Sequence, residues 1–250
     1  VSFDTAFHQT IPEVIRRFAL PREFHERGLK RYGFHGLSYK SIIGSFSQIE
    51  PQLAVGRIVV AHLGSGASLC AIKGGKSIDT SMSFSTLDGI PMATRCGALD
   101  PGLLLYFLQQ ENMLPDALSD LLYHRSGLFG LSGISGDTRD LLESNAPLAR
   151  EALEVFTLRT AGEIARLVST LGGLDALIFT AGIGEHQPEI RASVCRRLSW
   201  LGIDLNTSAN NRNAFRIATN SSRTAAFVLA TDEERIIAME TLQVLGNSSM

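Results

Sequence analysis

Two glycine-rich turns follow runs of aliphatic residues. His62-Leu63-Gly64-Ser65-Gly66 follows the run 57–61, and Ala181-Gly182-Ile183-Gly184-Glu185 follows the run 174–180. Such turns can aim consecutive backbone N–H groups at phosphate oxygens, because no side chain blocks the approach. Neither has the GxxxxGK[ST] pattern, and the second lacks the third glycine of a dinucleotide fingerprint. Each alone is equally well read as a turn. Asp4 and His8 stand close to Ser2-Phe3, where a carboxylate can organise a nucleophile, water or a metal, or simply close a turn. His35, between Phe34 and Gly36, can hydrogen-bond a buried loop or, as an imidazolium, offset negative charge. Arg95 lies in a glycine-punctuated loop, where a fixed guanidinium can grip an oxyanion. Asp137-Thr138-Arg139 can cap a helix or surround a base or ribose. Glu233 stands beside Glu234, a position that favours a helix dipole or a Mg2+ ion near phosphate. His25 and His124 belong to no metal-ligand pattern and read as surface or packing residues.

These residues need a scaffold of strands ending in loops. Segments 12–19 and 37–46 read as short helices, with Arg31–Gly36 as a loop between them. The run 57–61 reads as a buried strand, and 68–72 with 77–79 as a hairpin turned by Gly74-Gly75, where both glycines tolerate positive φ. Segment 80–100 has little periodicity and reads as a long ordered loop. Helices are expected from Asp100-Pro101 to about Gln110, and from Leu114 to Tyr123. The clearest helix spans Pro147–Leu171: Pro147 suits its first turn, apolar residues recur on one face, and Gly172-Gly173 ends it. Strands at 174–180 and 224–229 and a helix at 188–198 follow. Thr231 and Glu234 fit a capping box for a last helix. This is mixed α/β organisation, with a domain division expected near 145/146.

The chain has 250 residues, 44% of them hydrophobic and 19% charged, enough for a substantial core. Its formal charge of -2 gives no broad electrostatic case for nucleic acid, so an anion must be held locally. Cys70, Cys96 and Cys195 lack metal-ligand spacing and favour a reducing compartment. No apolar run approaches a membrane span. The sequence opens on VSFDTAFHQTIP without an initiator Met, which is read as a truncated chain.

Taken in order, FDTAFHQTIP, RYGFHG, HLGSGAS, KSIDTSM, the TR.G..DPG pattern at 94–102, SGLFGLSG, FTAGIGE and TDEE resemble the acetate kinase family and its propionate and butyrate kinase relatives. The resemblance runs from residue 3 to about 242. It implies the sugar kinase/Hsp70/actin-like ATPase fold, an α/β architecture with a duplicated βββαβαβα core. It also implies reversible, in-line phosphoryl transfer from ATP to acetate or another short-chain carboxylate with Mg2+, or Mn2+ in its place, in a cytoplasmic homodimer. By resemblance, Asp4, His35 and Arg95 are catalytic: Asp4 the active-site carboxylate, His35 and Arg95 the groups that stabilise the transition state. Glu233 is associated with the metal. His62, Leu63, Gly64, Ser65 and Gly66 embrace phosphates; Asp137, Thr138, Arg139, Gly182, Ile183, Gly184, Glu185 and His186 line the adenosine side.

Three departures from the family pattern stand out. Ser65 replaces the Asn of the usual HLGNG, which shortens that side chain's reach. The usual YGFHGTSH reads YGFHGLSYK, so Leu37 and Tyr39 alter the wall beside His35. Roughly the N-terminal third is expected to be missing, with an Asn-x-Gly-Ser-Ser-Ser phosphate turn and an acetate-side Arg. The first domain is then incomplete: 1–145 is read as its remainder, with substrate-side and phosphate loops, and 146–250 as the nucleotide-side domain. Such a fragment is expected to expose core surface and to have little activity alone. The rival readings are a noncatalytic actin- or Hsp70-like nucleotide-binding module, which has no special need for His35 and Arg95, and a dehydrogenase, for which the glycine fingerprint is incomplete.

Overall fold

The computed structural model describes residues 2–247. Ser2 and Phe3 form no strand. They lead into a 3-10 turn at Ala6–Thr10 and three short helices: α1 (Glu13–Arg16), α2 (Arg22–Glu26) and, after a loop, the longer α3 (Gly36–Ile49). The helix expected over 12–19 stops at Arg16, because Arg17 turns to extended backbone (ψ 137°) ahead of Pro21. After α4 (Pro51–Ala54) come β1 (Arg57–Leu63), β2 (Ala67–Lys73) and β3 (Lys76–Thr80). Gly74 and Gly75, at φ 58° and 74°, turn the β2–β3 hairpin as their types require.

No helix or strand falls between Thr80 and Pro101. Next come α5 (Pro101–Gln109), capped by the Asp100 carboxylate on the Gly102 N–H, α6 (Pro115–His124), α7 (Gly127–Ser132) and α8 (Thr138–Glu143). Helix α9 spans Pro147–Leu171 and stops at Gly172, φ 74°. The remaining elements are β4 (Ala176–Thr180), α10 (Ala181–His186), α11 (Pro188–Arg197), α12 (Thr207–Asn211), β5 (Ala225–Val228) and α13 (Glu233–Asn247). Asp232, not Thr231, caps α13: its carboxylate accepts from the Arg235 N–H at 2.9 Å, while the Thr231 hydroxyl turns to the Ser38 carbonyl.

The strands form one five-stranded sheet in the order β3-β2-β1-β4-β5. β1 pairs antiparallel with β2 and parallel with β4, and β4 pairs parallel with β5. Among the described residues this is one βββαβαβα unit. Position 145/146 falls inside it, since β1–β3 precede that point and β4 and β5, hydrogen-bonded alongside, follow it.

Strand side chains alternate between two buried faces. Val59, Ala61, Leu63, Leu177 and Phe179 face Phe156, Ile164 and Leu167 of α9 and Val194 of α11. Ile58, Val60, Ile178 and Phe227 face Tyr39, Ile42 and Phe46 of α3. This burial on both sides explains why the strands read as continuous apolar runs. The parallel strands β1, β4 and β5 all point their carboxyl ends to the same side, where the segments 64–66, 181–186 and 229–233 begin. Crevices beyond such strand ends are where open α/β sheets bind ligands.

Candidate active site

The start of the chain is tied to the head of α3. His35 takes the left-handed conformation at its N-cap (φ 56°). Its backbone N–H donates to the Asp4 carboxylate at 2.6 Å, and the Gly36 N–H donates to the Asp4 carbonyl at 2.9 Å. A Cβ on residue 36 would lie 2.1 Å from that carbonyl oxygen, so the glycine of Phe-His-Gly is a steric necessity. Asp4 therefore sits at the positive end of α3.

Histidine rings fill the space between α3 and the sheet. His35 stacks on His62 with centroids 4.2 Å apart and 19° between planes. His35 Nδ1 is 2.8 Å from the Ser68 hydroxyl, and His62 Nδ1 is 2.8 Å from that of Ser38. Burial lowers the pKa of His35, with Asp4 opposing and Arg95 assisting. It takes His62 down to about 3, with His35 adding to the effect. Behind them His8 is fully buried between the Ser77 hydroxyl (2.9 Å) and the Phe34 carbonyl (2.8 Å), with its pKa lowered to about 4 by burial. It is a structural neutral imidazole.

Gly66 is the meeting point. A Cβ there would lie 3.5 Å from His35 Nε2 and 3.8 Å from Arg95 Nη1. The Arg95 guanidinium donates to the Thr86 carbonyl at 3.3 Å and takes part in no ion pair among the described residues, so its charge faces the turn uncompensated. The turn is held by Gly64 N–H on the Gly66 carbonyl and Ala93 N–H on the Ser65 carbonyl, both at 3.1 Å.

Beside it opens a cavity of about 610 Å³ lined by Gly64, Ser65, Asp137, Thr138, Arg139, Gly182, Ile183 and His186, with Ala93, Gly136 and Gln187. Residues from distant parts of the chain thus converge. Five of the residues assigned to the nucleotide do not line it: His62 and Gly66 lie against His35 instead, and the other three are turned away. Leu63 is buried in the core, and Gly184 packs against the backbone of Phe179. The Glu185 carboxylate folds back onto the Ala181 N–H at 2.9 Å, at a strand–helix junction where Ala181 is held at φ 64°. Segment 181–186 is helix from its first residue. Asp137 caps α8 and pairs with the exposed Arg139 at 2.6 Å, which draws its pKa down.

Glu233 opens α13, and its pKa is raised by burial and by the facing charge of Asp4. No cluster of three metal-ligating side chains occurs among the described residues. Glu233 and the Asp4 charge it feels form no ion pair among the described residues, and such carboxylates suit a hard cation that keeps most of its waters.

Several participants carried no sequence signal. Ser38 and Ser68, which read as ordinary helix and strand residues, buttress the two histidines together with Tyr39. Arg191 is fully buried. It donates to the carbonyls of Gly184 and Glu185, both at 2.9 Å, and nothing in the sequence singles it out within the helix expected at 188–198.

Strand ends and two glycine turns around one cavity, with the Arg95 guanidinium against Gly66 beside it, mark an α/β protein whose candidate site lies at the carboxyl edge of its sheet. The chain matches the acetokinase family model over residues 1–239 and belongs to that family. Acetate kinases of Methylocella silvestris and Rhodopseudomonas palustris strain TIE-1 are 50% identical over 243 residues and 53% identical over 239; these spans cover 97% and 94% of this chain. The chain spans about 60% of the length of these curated relatives. Crystal structures of Porphyromonas gingivalis acetate kinase (TM-score 0.92, 35% identity, 97% of this chain and 63% of that one) and of a Francisella tularensis propionate kinase (0.90, 37%, 95% and 62%) superpose closely.

Proposed function

We propose that the protein to which this chain belongs transfers the γ-phosphoryl group of ATP to acetate, giving acetyl phosphate and ADP in a reversible reaction. The observation that carries this reading is the approach of His35 Nε2 and Arg95 Nη1 to within 3.5–3.8 Å of a Cβ position on Gly66, beside a cavity of about 610 Å³. The names of the relatives, acetate kinase and propionate kinase, supply the carboxylate acceptor. Propionate or butyrate is the alternative, set by pocket volume near Phe84 and Pro91.

The acceptor is already an anion, so no base is needed. Its oxygen attacks phosphorus in line while the bond to the β-phosphate oxygen breaks and ADP leaves with those electrons. Charge spreads over the transferring group, and preorganised donors lower the barrier. Arg95, His35 Nε2 and the amides of Ser65 and Gly66 are those donors, and Asp4 positions the acceptor side. Asp137 to Arg139 and Gly182 to His186 take the adenosine end. Glu233, with the Asp4 charge beside it, would hold the Mg2+ or Mn2+ that accompanies ATP and neutralises phosphate charge. Ser65, exposed at the cavity mouth, reaches a phosphate less far than Asn would.

A cytoplasmic setting is proposed from three free cysteines; no described helix is long and apolar enough to cross a membrane. A homodimer is proposed too. Helix α5 buries none of its residues and leaves Leu103, Leu105, Tyr106 and Leu108 open, a surface that sedimentation equilibrium of a Leu105→Glu variant would test. A second apolar groove runs between Phe3, Phe7 and Ile43 and the α13 residues Ile236 and Met239. A hydroxamate assay on the full gene product with ATP and acetate, propionate or butyrate tests the reaction. Acyl phosphate with acetate fastest supports it; nucleotide binding without acyl phosphate contradicts it.

A further inference from the structure

We propose that Ser68 is a positioning residue which fixes His35 as the neutral tautomer protonated on Nε2, and that Tyr39, unlike a histidine in its place, offers the Ser68 hydrogen no competing acceptor, so that His35 acts on the phosphoryl group as an uncharged donor. The tautomer stands on geometry alone; only what the Nε2–H donates to rests on the proposed reaction.

The Tyr39 hydroxyl bonds the Ser68 hydroxyl, which is 2.8 Å from His35 Nδ1. Tyr39 and Ser68 have no exposed surface, and each hydroxyl carries one hydrogen. Among the described residues, Tyr39 Oη has Ser68 as its one hydrogen-bond partner, and Ser68 Oγ has Tyr39 and His35. If Ser68 donated to Tyr39, the phenolic hydrogen would be left without an acceptor. If Ser68 accepted from both neighbours, its own hydrogen would be stranded. Buried unpaired donors are costly. One arrangement satisfies every hydrogen: Tyr39 donates to Ser68, and Ser68 donates to His35 Nδ1. The His35 proton then sits on Nε2, the atom facing Gly66 and Arg95.

An imidazolium would carry a proton on Nδ1 as well, and would meet the Ser68 hydrogen head-on. Burial and Arg95 oppose that charge too, against Asp4. His62, stacked on the ring, adds no charge of its own while it stays neutral. A phenol, once buried, stays protonated; burial raises the Tyr39 pKa well above its ordinary value. Tyr39 can therefore end such a chain only as its donor. The histidine that the family pattern carries at this position can either donate or accept, which would let the chain run in both directions. Tyr39 makes it one-way.

The test is two-bond 1H–15N correlation of histidine side chains in the full chain at neutral pH, with His35 among the six histidines assigned by the signal lost in His35→Gln. The expected wild-type pattern is a single neutral tautomer with Nε2 protonated and Nδ1 bare. Tyr39→Phe keeps that pattern, because Ser68 still donates to Nδ1. Tyr39→His adds a second population protonated on Nδ1. Ser68→Ala moves the Nδ1 resonance as its hydrogen bond is lost. A wild-type His35 protonated on Nδ1, alone or together with Nε2, overturns the proposal even if a variant fails to fold. So does Tyr39→His with no change of tautomer in a folded protein. The readout needs no turnover, so an absent phosphotransferase activity would refute the proposed reaction and leave the tautomer standing.

Discussion

Arg191→Met removes the guanidinium that ties the cavity wall to the rest of the molecule while keeping most of the side-chain volume. Arg191 donates through Nε to Asn210 Oδ1 (2.8 Å), through Nη1 to the carbonyls of Gly184 and Glu185 (2.9 Å each), and through Nη2 to the Asn210 carbonyl (2.7 Å) and Asn213 Oδ1 (2.6 Å). The carbonyl of Gly184 has no helical alternative, since the residue four places on is Pro188, which lacks an N–H. Burial lowers the Arg191 pKa to about 10, still high enough for full charge at neutral pH. The two asparagine side chains can turn to new partners and the Asn210 carbonyl keeps the Asn213 N–H at 3.0 Å, but the carbonyls of Gly184 and Glu185 lose the donor that Arg191 supplies.

Each buried acceptor left unpaired costs about 1–3 kcal/mol, and such losses within one network add incompletely. The expected destabilisation is therefore roughly 3–5 kcal/mol, a large share of the stability of an ordinary domain. Urea unfolding followed by circular dichroism reads it directly. Where the variant remains folded, its affinity for a fluorescent ATP analogue should also fall, because the 182–186 segment loses its anchor. Arg191→Lys keeps the charge but not the planar fork, and should fall between the two. A loss below about 1 kcal/mol with unchanged nucleotide affinity would refute the anchoring argument.

Gly36→Ala drives a methyl group onto the Asp4 carbonyl at 2.1 Å; we expect a loss of roughly 2–4 kcal/mol, and an unchanged melting temperature would contradict the contact. His8 has its pKa lowered to about 4 in the folded state. The folded chain thus binds fewer protons than the unfolded one between pH 6.5 and 4, and stability present above pH 6.5 is lost as pH falls through that window. The shift corresponds to an upper limit of roughly 3 kcal/mol, with His62 acting in the same direction. His8→Gln should flatten the dependence of urea midpoint on pH, and an identical slope in the variant would rule His8 out as a source.

What the sequence disclosed follows from the range of the forces involved. Helix α9 was legible from end to end because proline, apolar spacing and Gly172 are local signals, and the β2–β3 turn was legible because two adjacent glycines permit its backbone. The cavity residues were legible only through the order of their motifs, since Ser65, Asp137 and Gly182 meet by strand pairing and not by spacing. Short helices such as α7 and α12 escaped, being too brief for periodicity to register. Arg191 escaped because its acceptors on α12 lie about twenty residues away, and a buried arginine looks like a surface one until its partners are known. Tyr39 showed only as a departure from a pattern; its meaning needed Ser68, on a strand across the sheet interface. The pairing of β1 with β4 across position 145/146 is a contact invisible in composition.

The most direct test of the proposed reaction is 31P NMR of the full gene product with ADP, Mg2+ and acetyl phosphate, run beside its Arg95→Ala variant. The account predicts that the acetyl phosphate signal converts to the γ-phosphate of ATP, and that Arg95→Ala slows the conversion by roughly 10²–10³-fold with the fold unchanged. No conversion by the unaltered protein, or conversion by Arg95→Ala at the same rate, would contradict it.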